Sequence, residues 1–173
     1  MENLIKTFTV NITKQTWKQA VSSVGNTPKD YKVWKVGDQF KHPKLGQREL
    51  VLVNGIKSFK KAIEYAKDNK LNLTSPYEVF ALKINFEKEL GGYGHIVATT
   101  ECAFVGYRRA CDVWWRGGSR EARLGWLEGF GSSSGWFAFS RDSSKSSAPD
   151  LNNKDLDGEV VEIKGIEYKL TKI

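Results

Sequence analysis

The stretch Tyr107-Arg108-Arg109-Ala110-Cys111-Asp112-Val113-Trp114-Trp115-Arg116-Gly117-Gly118-Ser119-Arg120-Glu121-Ala122-Arg123-Leu124-Gly125-Trp126 decides how this chain is read. Small apolar or aromatic anchors recur through it and beyond it: Ala110, Val113, Ala122, Leu124, Trp126, Phe130, Phe137 and Phe139. Residues 121–127 alternate, with Ala122, Leu124 and Trp126 on one side and Glu121, Arg123, Gly125 and Leu127 on the other, which predicts a strand. Between the anchors lie Asp, Arg, Gly, Ser, Glu and Trp in no amphipathic order. Anchors at strand spacing fix a frame, and the residues between them project from it. Arg, Trp, Ser and Gly are the types that adaptable binding surfaces use: rigid aromatic area, forked cations and versatile hydrogen bonding. An ordinary twisted sheet with glycine bulges would leave a similar pattern.

On the N-terminal side, residues 6–13 alternate as a strand, and Thr13 or Thr16 can cap a helix running to Val24. Residues 31–36 and 49–53 read as short strands, and residues 58–69 as an amphipathic helix with Phe59, Ala62, Ile63 and Ala66 on one face. Alternation over residues 77–86 predicts another strand. Residues 96–99, 103–107 and 136–139 are short apolar strands, and residues 142–158 form a polar insertion loop. Residues 159–163 and 168–173 make a terminal strand pair around Gly165, and residues 167–173 are expected to pair with residues 6–12. The expected class is α+β, a single domain over residues 1–173 with two helices, short twisted antiparallel strands and long loops.

The 173 residues carry a formal charge of +7, unevenly spread. Residues 1–88, a Lys-rich scaffold part, hold 15 Lys and one Arg against 8 acids; residues 89–144 hold no Lys, 6 Arg, 6 acids and four of the six Trp. The surplus therefore lies outside the aromatic window. The Lys residues are scattered over helix exteriors and loops, as at Lys57, Lys60, Lys61, Lys67 and Lys70, rather than interleaved with aromatics as a nucleic-acid module requires. A basic nucleic-acid-associated protein is the alternative function. Salt-dependent retention on DNA or heparin, lost on neutralising Lys57, Lys60 and Lys61, distinguishes it. No apolar run reaches the ~20 residues of a membrane span. Residues 1–6 show no secretory signal, which makes a cytoplasmic location the default expectation.

Catalytic and metal chemistries find little support. The two His, His42 and His95, lack paired helical spacing, and Cys102 and Cys111 lack C-x-x-C spacing, which argues against zinc. No clustered carboxylate set indicates calcium, and Gly91-Gly92-Tyr93-Gly94 lacks the Lys-Ser/Thr ending of a phosphate loop. Cys111 with His95 as a nucleophile–base pair lacks an orienting third group. Glu121 and Glu128 read as solvated charges. The expectation is a non-enzyme without a cofactor.

The order of elements, with its paired terminal strands, early helices and later short strands, resembles a C-type lectin fold. The window anchored by Arg120, Ala122, Leu124, Trp126, Phe130, Gly131, Phe137 and Phe139 resembles the variable region of target proteins of diversity-generating retroelements. Those proteins use a C-type lectin fold of the formylglycine-generating-enzyme type to display diversified residues. Their templates are copied with errors at adenines, and Asn-type codons then yield Asp, Ser, Gly, Arg, Cys or Tyr but never Lys. The resemblance so implies a Lys-free variable region, here residues 107–141. Trp114, Trp115 and Trp136 lie outside that codon set and would be template-encoded, and residues 142–173 would follow a region that usually ends such chains.

Together these readings predict a non-catalytic ligand-binding protein whose partner is an unknown protein or small molecule. Asp112, Trp114, Arg116, Ser119, Glu121, Arg123, Ser133 and Trp136 are expected to form one exposed surface. Trp114 and Trp136 would be its apolar anchors, and Arg116 and Arg123 its forked donors to carboxylates or carbonyls. Ala122, Leu124, Trp126, Phe137 and Phe139 are expected to be buried.

Overall fold

Phe8, Val10 and Ile12 point one way from the first strand, β1 (Ile5–Ile12), and this parity sets which side of the sheet faces the first helix. A computed structural model describes residues 4–90, 94–116, 118–130 and 135–141, and the backbone of 160–163 and 166–169; the side chains of Phe86 and Arg116 lie outside it. Ser133 and the loop expected at residues 142–158 are also outside the described residues. The chain divides into two units, Met1–Ser143 and Ser144–Ile173. The larger is a mixed α+β fold.

After β1 come α1 (Trp17–Val24), β2 (Gly46–Asn54), α2 (Phe59–Asp68), β3 (Asn72–Leu73), α3 (Pro76–Phe80) and α4 (Phe86–Leu90). Then follow β4 (Gly94–Phe104), β5 (Tyr107–Arg116), β6 (Ser119–Trp126) and β7 (Gly135–Arg141). The seven strands form one sheet in the order β1-β2-β7-β4-β5-β6, with β3 also paired to β7. β7 runs parallel to β4, and the other neighbours are antiparallel. β5 joins β4 through Val105 (φ 51) and Gly106 (φ 77), a two-residue turn with both centres left-handed that matches the strand twist.

Helices cover both faces of this sheet. On one face α2 packs Phe59, Ala62 and Ala66 with Val51, Val53, Val97, Ala110, Phe137 and Phe139. On the other, α1 and α3 pack Ala20, Val21, Val79 and Phe80 with Leu50, Leu52, Ile96, Cys111, Val113, Ala122 and Trp136. These are called the α2 face and the α1 face below. β4 slips register between Val97 and Glu101. The buried polar groups there are satisfied by Thr74 and Thr99, whose hydroxyls donate to the Ala138 carbonyl at 2.7 and 2.8 Å.

Two expected strands are instead helical. Residues 31–36 enter 3-10 turns at Lys32–Lys35 and Gly37–Gln39, which put Val33 and Val36 on one buried face at i, i+3 spacing. Residues 77–86 open as α3 because Ser75-Pro76-Tyr77-Glu78 is a helix start: Pro76 occupies the first turn and the Glu78 carboxylate accepts from the Ser75 amide at 2.7 Å. Residues 170–173, most of the final strand expected to pair with residues 6–12, lie outside the described residues. β9 (Ile166–Lys169) pairs with β8 (Val160–Ile163), its immediate sequence neighbour, in a two-stranded sheet.

α1 holds the edge strand β6 in place. Thr16 caps the helix reciprocally with Gln19. The chain then turns at Gly25 (φ 148), so that the Asn26 amide donates to Arg120 O at 2.9 Å and Thr27 Oγ1 accepts from the Ala122 amide at 2.8 Å. A Cβ on Gly25 would lie 2.6 Å from the Arg120 carbonyl oxygen. Gly25→Ala is therefore expected to destabilise the fold by about 2 kcal/mol through strain and loss of this clasp. Urea unfolding checks the value, and an unchanged midpoint would contradict the contact.

Candidate ligand-binding face

β5 and β6 meet in a register that pairs six of the eight expected site positions with one another. Asp112 opposes Arg123, Trp114 opposes Glu121, and Arg116 opposes Ser119. Directly opposed residues share a face, so these pairs form a continuous row on the α2 face of the hairpin. His95 of β4 opposes Trp114 and extends the row inward. The row lies beside an edge, because β6 ends the sheet.

The side chains along this row interlock. The Arg123 guanidinium donates to Asp112 Oδ2 at 2.8 Å and lies over the Trp114 ring, 4.0 Å from its centroid. Such a stack is worth about 0.5–2 kcal/mol and holds a long side chain in one place. Glu121 accepts from the Tyr31 hydroxyl at 3.1 Å, which ties the row to the first 3-10 turn. A cleft of about 340 Å³ lined by Asp30, Tyr31, Lys32, Arg123 and Leu124 opens beside it.

Burial grades along the row. Asp112 is fully buried, whereas the Arg123 side chain keeps 28% of its exposure. Burial pushes the Asp112 pKa up, against the pull of the neighbouring Arg123 charge and its hydrogen bond. Burial also pushes the His95 pKa down, and its ring stands edge-on to Phe130 at 5.6 Å. Asp112 Oδ1, His95 Nε2 and Arg123 Nε are enclosed without a hydrogen-bond partner. A histidine held neutral contributes stability above its ordinary pKa of 6.5, and loses it as pH falls through the lower folded value. Thermal stability is therefore expected to drop below pH 6.5, and His95→Phe should remove that part of the acid limb. An identical pH profile in the variant would contradict the assignment.

The expected surface needs three corrections. Trp136 is 4% exposed and lies on the α1 face opposite Ile96, because β7 is a central strand covered on both sides. Asp112 belongs to the row but underlies it as a buried partner of Arg123. Trp126, expected in the core, is 48% exposed. It shares parity with buried Ala122 and half-buried Leu124 but lies past the end of the helical cover. Ala122, Phe137 and Phe139 are buried as expected. Sequence reasoning missed His95 and Tyr31 as members of the site. The offset of His95 from Trp114 is visible only once the β4–β5 register is known.

Other chemistries meet a different geometry. Cys111 is fully buried on the α1 face, opposite in parity to His95, so the two do not form a nucleophile–base pair. Burial raises the Cys111 thiol pKa well above its ordinary value. Among the described residues, no three His, Cys, Asp or Glu side chains converge as a metal site, and no helix is long and apolar enough to cross a membrane. No protein-family model, curated protein or solved structure matches the chain.

Proposed function

We propose that the protein binds a ligand without catalysing a reaction, through the row of Trp114, Arg116, Ser119, Glu121 and Arg123 with Asp112 beneath it. Its scaffold is C-type-lectin-like, of the kind that target proteins of diversity-generating retroelements use. The observation that carries this reading is the pairing of six chosen positions on one hairpin face at the sheet edge. Display requires a rigid frame with replaceable side chains. The frame is present on the opposite face of the same strands, where Cys111, Val113 and Ala122 are fully or nearly fully buried.

Arg123 supplies a planar fork of donors, and Trp114 supplies flat apolar area against which that fork is already ordered. Glu121 adds an acceptor of opposite charge, so the face can meet polar ligands of either sign. Ser119 is small and half-buried at the turn.

The reading is tested by randomising residues 114, 116, 119 and 121 together in a display library. Most members should fold and keep their melting temperature within about 3 °C of the parent, and binders to unrelated proteins should be selectable from it. A parallel library at residues 111, 113 and 122 should mostly fail to fold. If the two libraries are equally intolerant, the row is structural and the display function is wrong.

A further inference from the structure

We propose that Tyr107, Arg109 and Trp126 form a second site, on the other face of the hairpin, which takes a small aromatic carboxylate. Arg109 and Trp126 are register partners, and Tyr107 lies two residues before Arg109 on the same side of β5. Their parity is that of Cys111 and Val113, so the site faces away from Trp114 and Arg123 and does not depend on the proposed display row.

The buried charge points to an anion. Arg109 is 6% exposed, and its Nε is enclosed without a hydrogen-bond partner. Among the described residues no carboxylate pairs with it. Glu101, the nearby acid on β4, is engaged by Arg108 instead. The group facing Arg109 across the β4–β5 ladder is the Cys102 thiol. A guanidinium carries five N–H donors and no acceptors, and taking it out of water costs several kcal/mol unless an anion meets it. The Trp126 ring offsets part of that cost, with its centroid 3.1 Å from the guanidinium carbon. It supplies no lone pair to the donors.

The ring surface points to an aromatic body. Trp126 is 48% and Tyr107 56% exposed, and they meet edge to face at 5.0 Å. The side chains that enclose Arg109 are therefore themselves at the surface, and the charge lies one side chain below it. A flat ring can lie against Trp126 and Tyr107 while its carboxylate accepts two parallel N–H bonds from the fork. A carboxylate matches this planar fork with a single charge.

Benzoate is the direct probe, with benzyl alcohol and acetate as its uncharged and ring-less counterparts. The readout is the indole N–H signal of Trp126 in two-dimensional NMR, assigned by its loss in Trp126→Ala. Benzoate should shift that signal saturably in the millimolar range, and each counterpart should bind roughly tenfold or more weakly. Arg109→Lys, which keeps the charge but not the fork, should weaken benzoate by a similar factor. Arg141→Lys, at an exposed guanidinium outside both faces of the hairpin, should leave benzoate binding unchanged. The site is refuted if benzyl alcohol binds as tightly as benzoate, if benzoate moves all tryptophan signals alike, or if no saturable shift appears.

Discussion

Trp136→Ala is expected to lower the stability of the fold by about 3–5 kcal/mol, the range for truncating a large buried aromatic. The ring is 4% exposed and packs in the core between β7 and the α1 side, opposite Ile96. At the size of this unit the loss corresponds to a melting temperature lower by about 10 °C. Trp126→Ala is the matched control, since it removes the same side chain from a position that is 48% exposed. It should cost about 1–2 kcal/mol, the loss of its stack on Arg109. Thermal unfolding of the two variants side by side separates a core tryptophan from a surface one. Equal effects would mean that β7 is not the central strand described above.

Arg123→Met has the second large effect. It strands the Asp112 carboxyl, fully buried and bonded to Arg123 at 2.8 Å, without its partner. Breaking a buried pair from one side typically costs 3–5 kcal/mol, and about 3 kcal/mol is expected here because Arg123 retains contact with water. The loss should depend on pH. In the fold, burial raises the Asp112 pKa above the ordinary 3.8, against the pull of the Arg123 charge and its hydrogen bond. Its contribution is fully present below pH 3.8 and is lost as pH rises through the folded value. Removing the guanidinium raises that value further and carries the loss to higher pH. The variant should therefore be closer to the parent at pH 4 than at pH 7. Asp112→Leu combined with Arg123→Met should recover most of the stability, because no buried charge remains. A penalty that is flat across pH would show that Asp112 is not the group left unpaired.

The physical reason some of this was legible in the sequence is parity. Alternation over residues 121–127 placed Ala122 inward and Arg123 outward, and one hairpin register then fixed the whole row. The helices at Trp17–Val24 and Phe59–Asp68 were visible from their caps and apolar spacing. Parity says which side a residue faces but not how far the cover on that side extends. Trp126 and Trp136 were misplaced for that reason: one lies past the end of the helical cover and the other on a strand covered from both faces. At residues 31–36 and 77–86 two periodicities competed. Three-residue spacing of Val33 and Val36 prevailed in the first, and the Ser75–Glu78 helix start in the second. His95 and Tyr31 join the site only through register and long-range contacts, which a single chain of letters does not display.

The central claim is that residues 107–141 combine a fixed frame with replaceable positions. The most direct measurement is the DNA sequence flanking this reading frame. A near-copy of the codons for residues 108–137, differing at adenines, is expected beside a reverse transcriptase gene. Those differences should fall on display-row codons such as Arg116 and Ser119, and spare the buried positions Val113, Ala122 and Phe137. The absence of a near-copy, or differences spread evenly over buried and exposed positions, would contradict it.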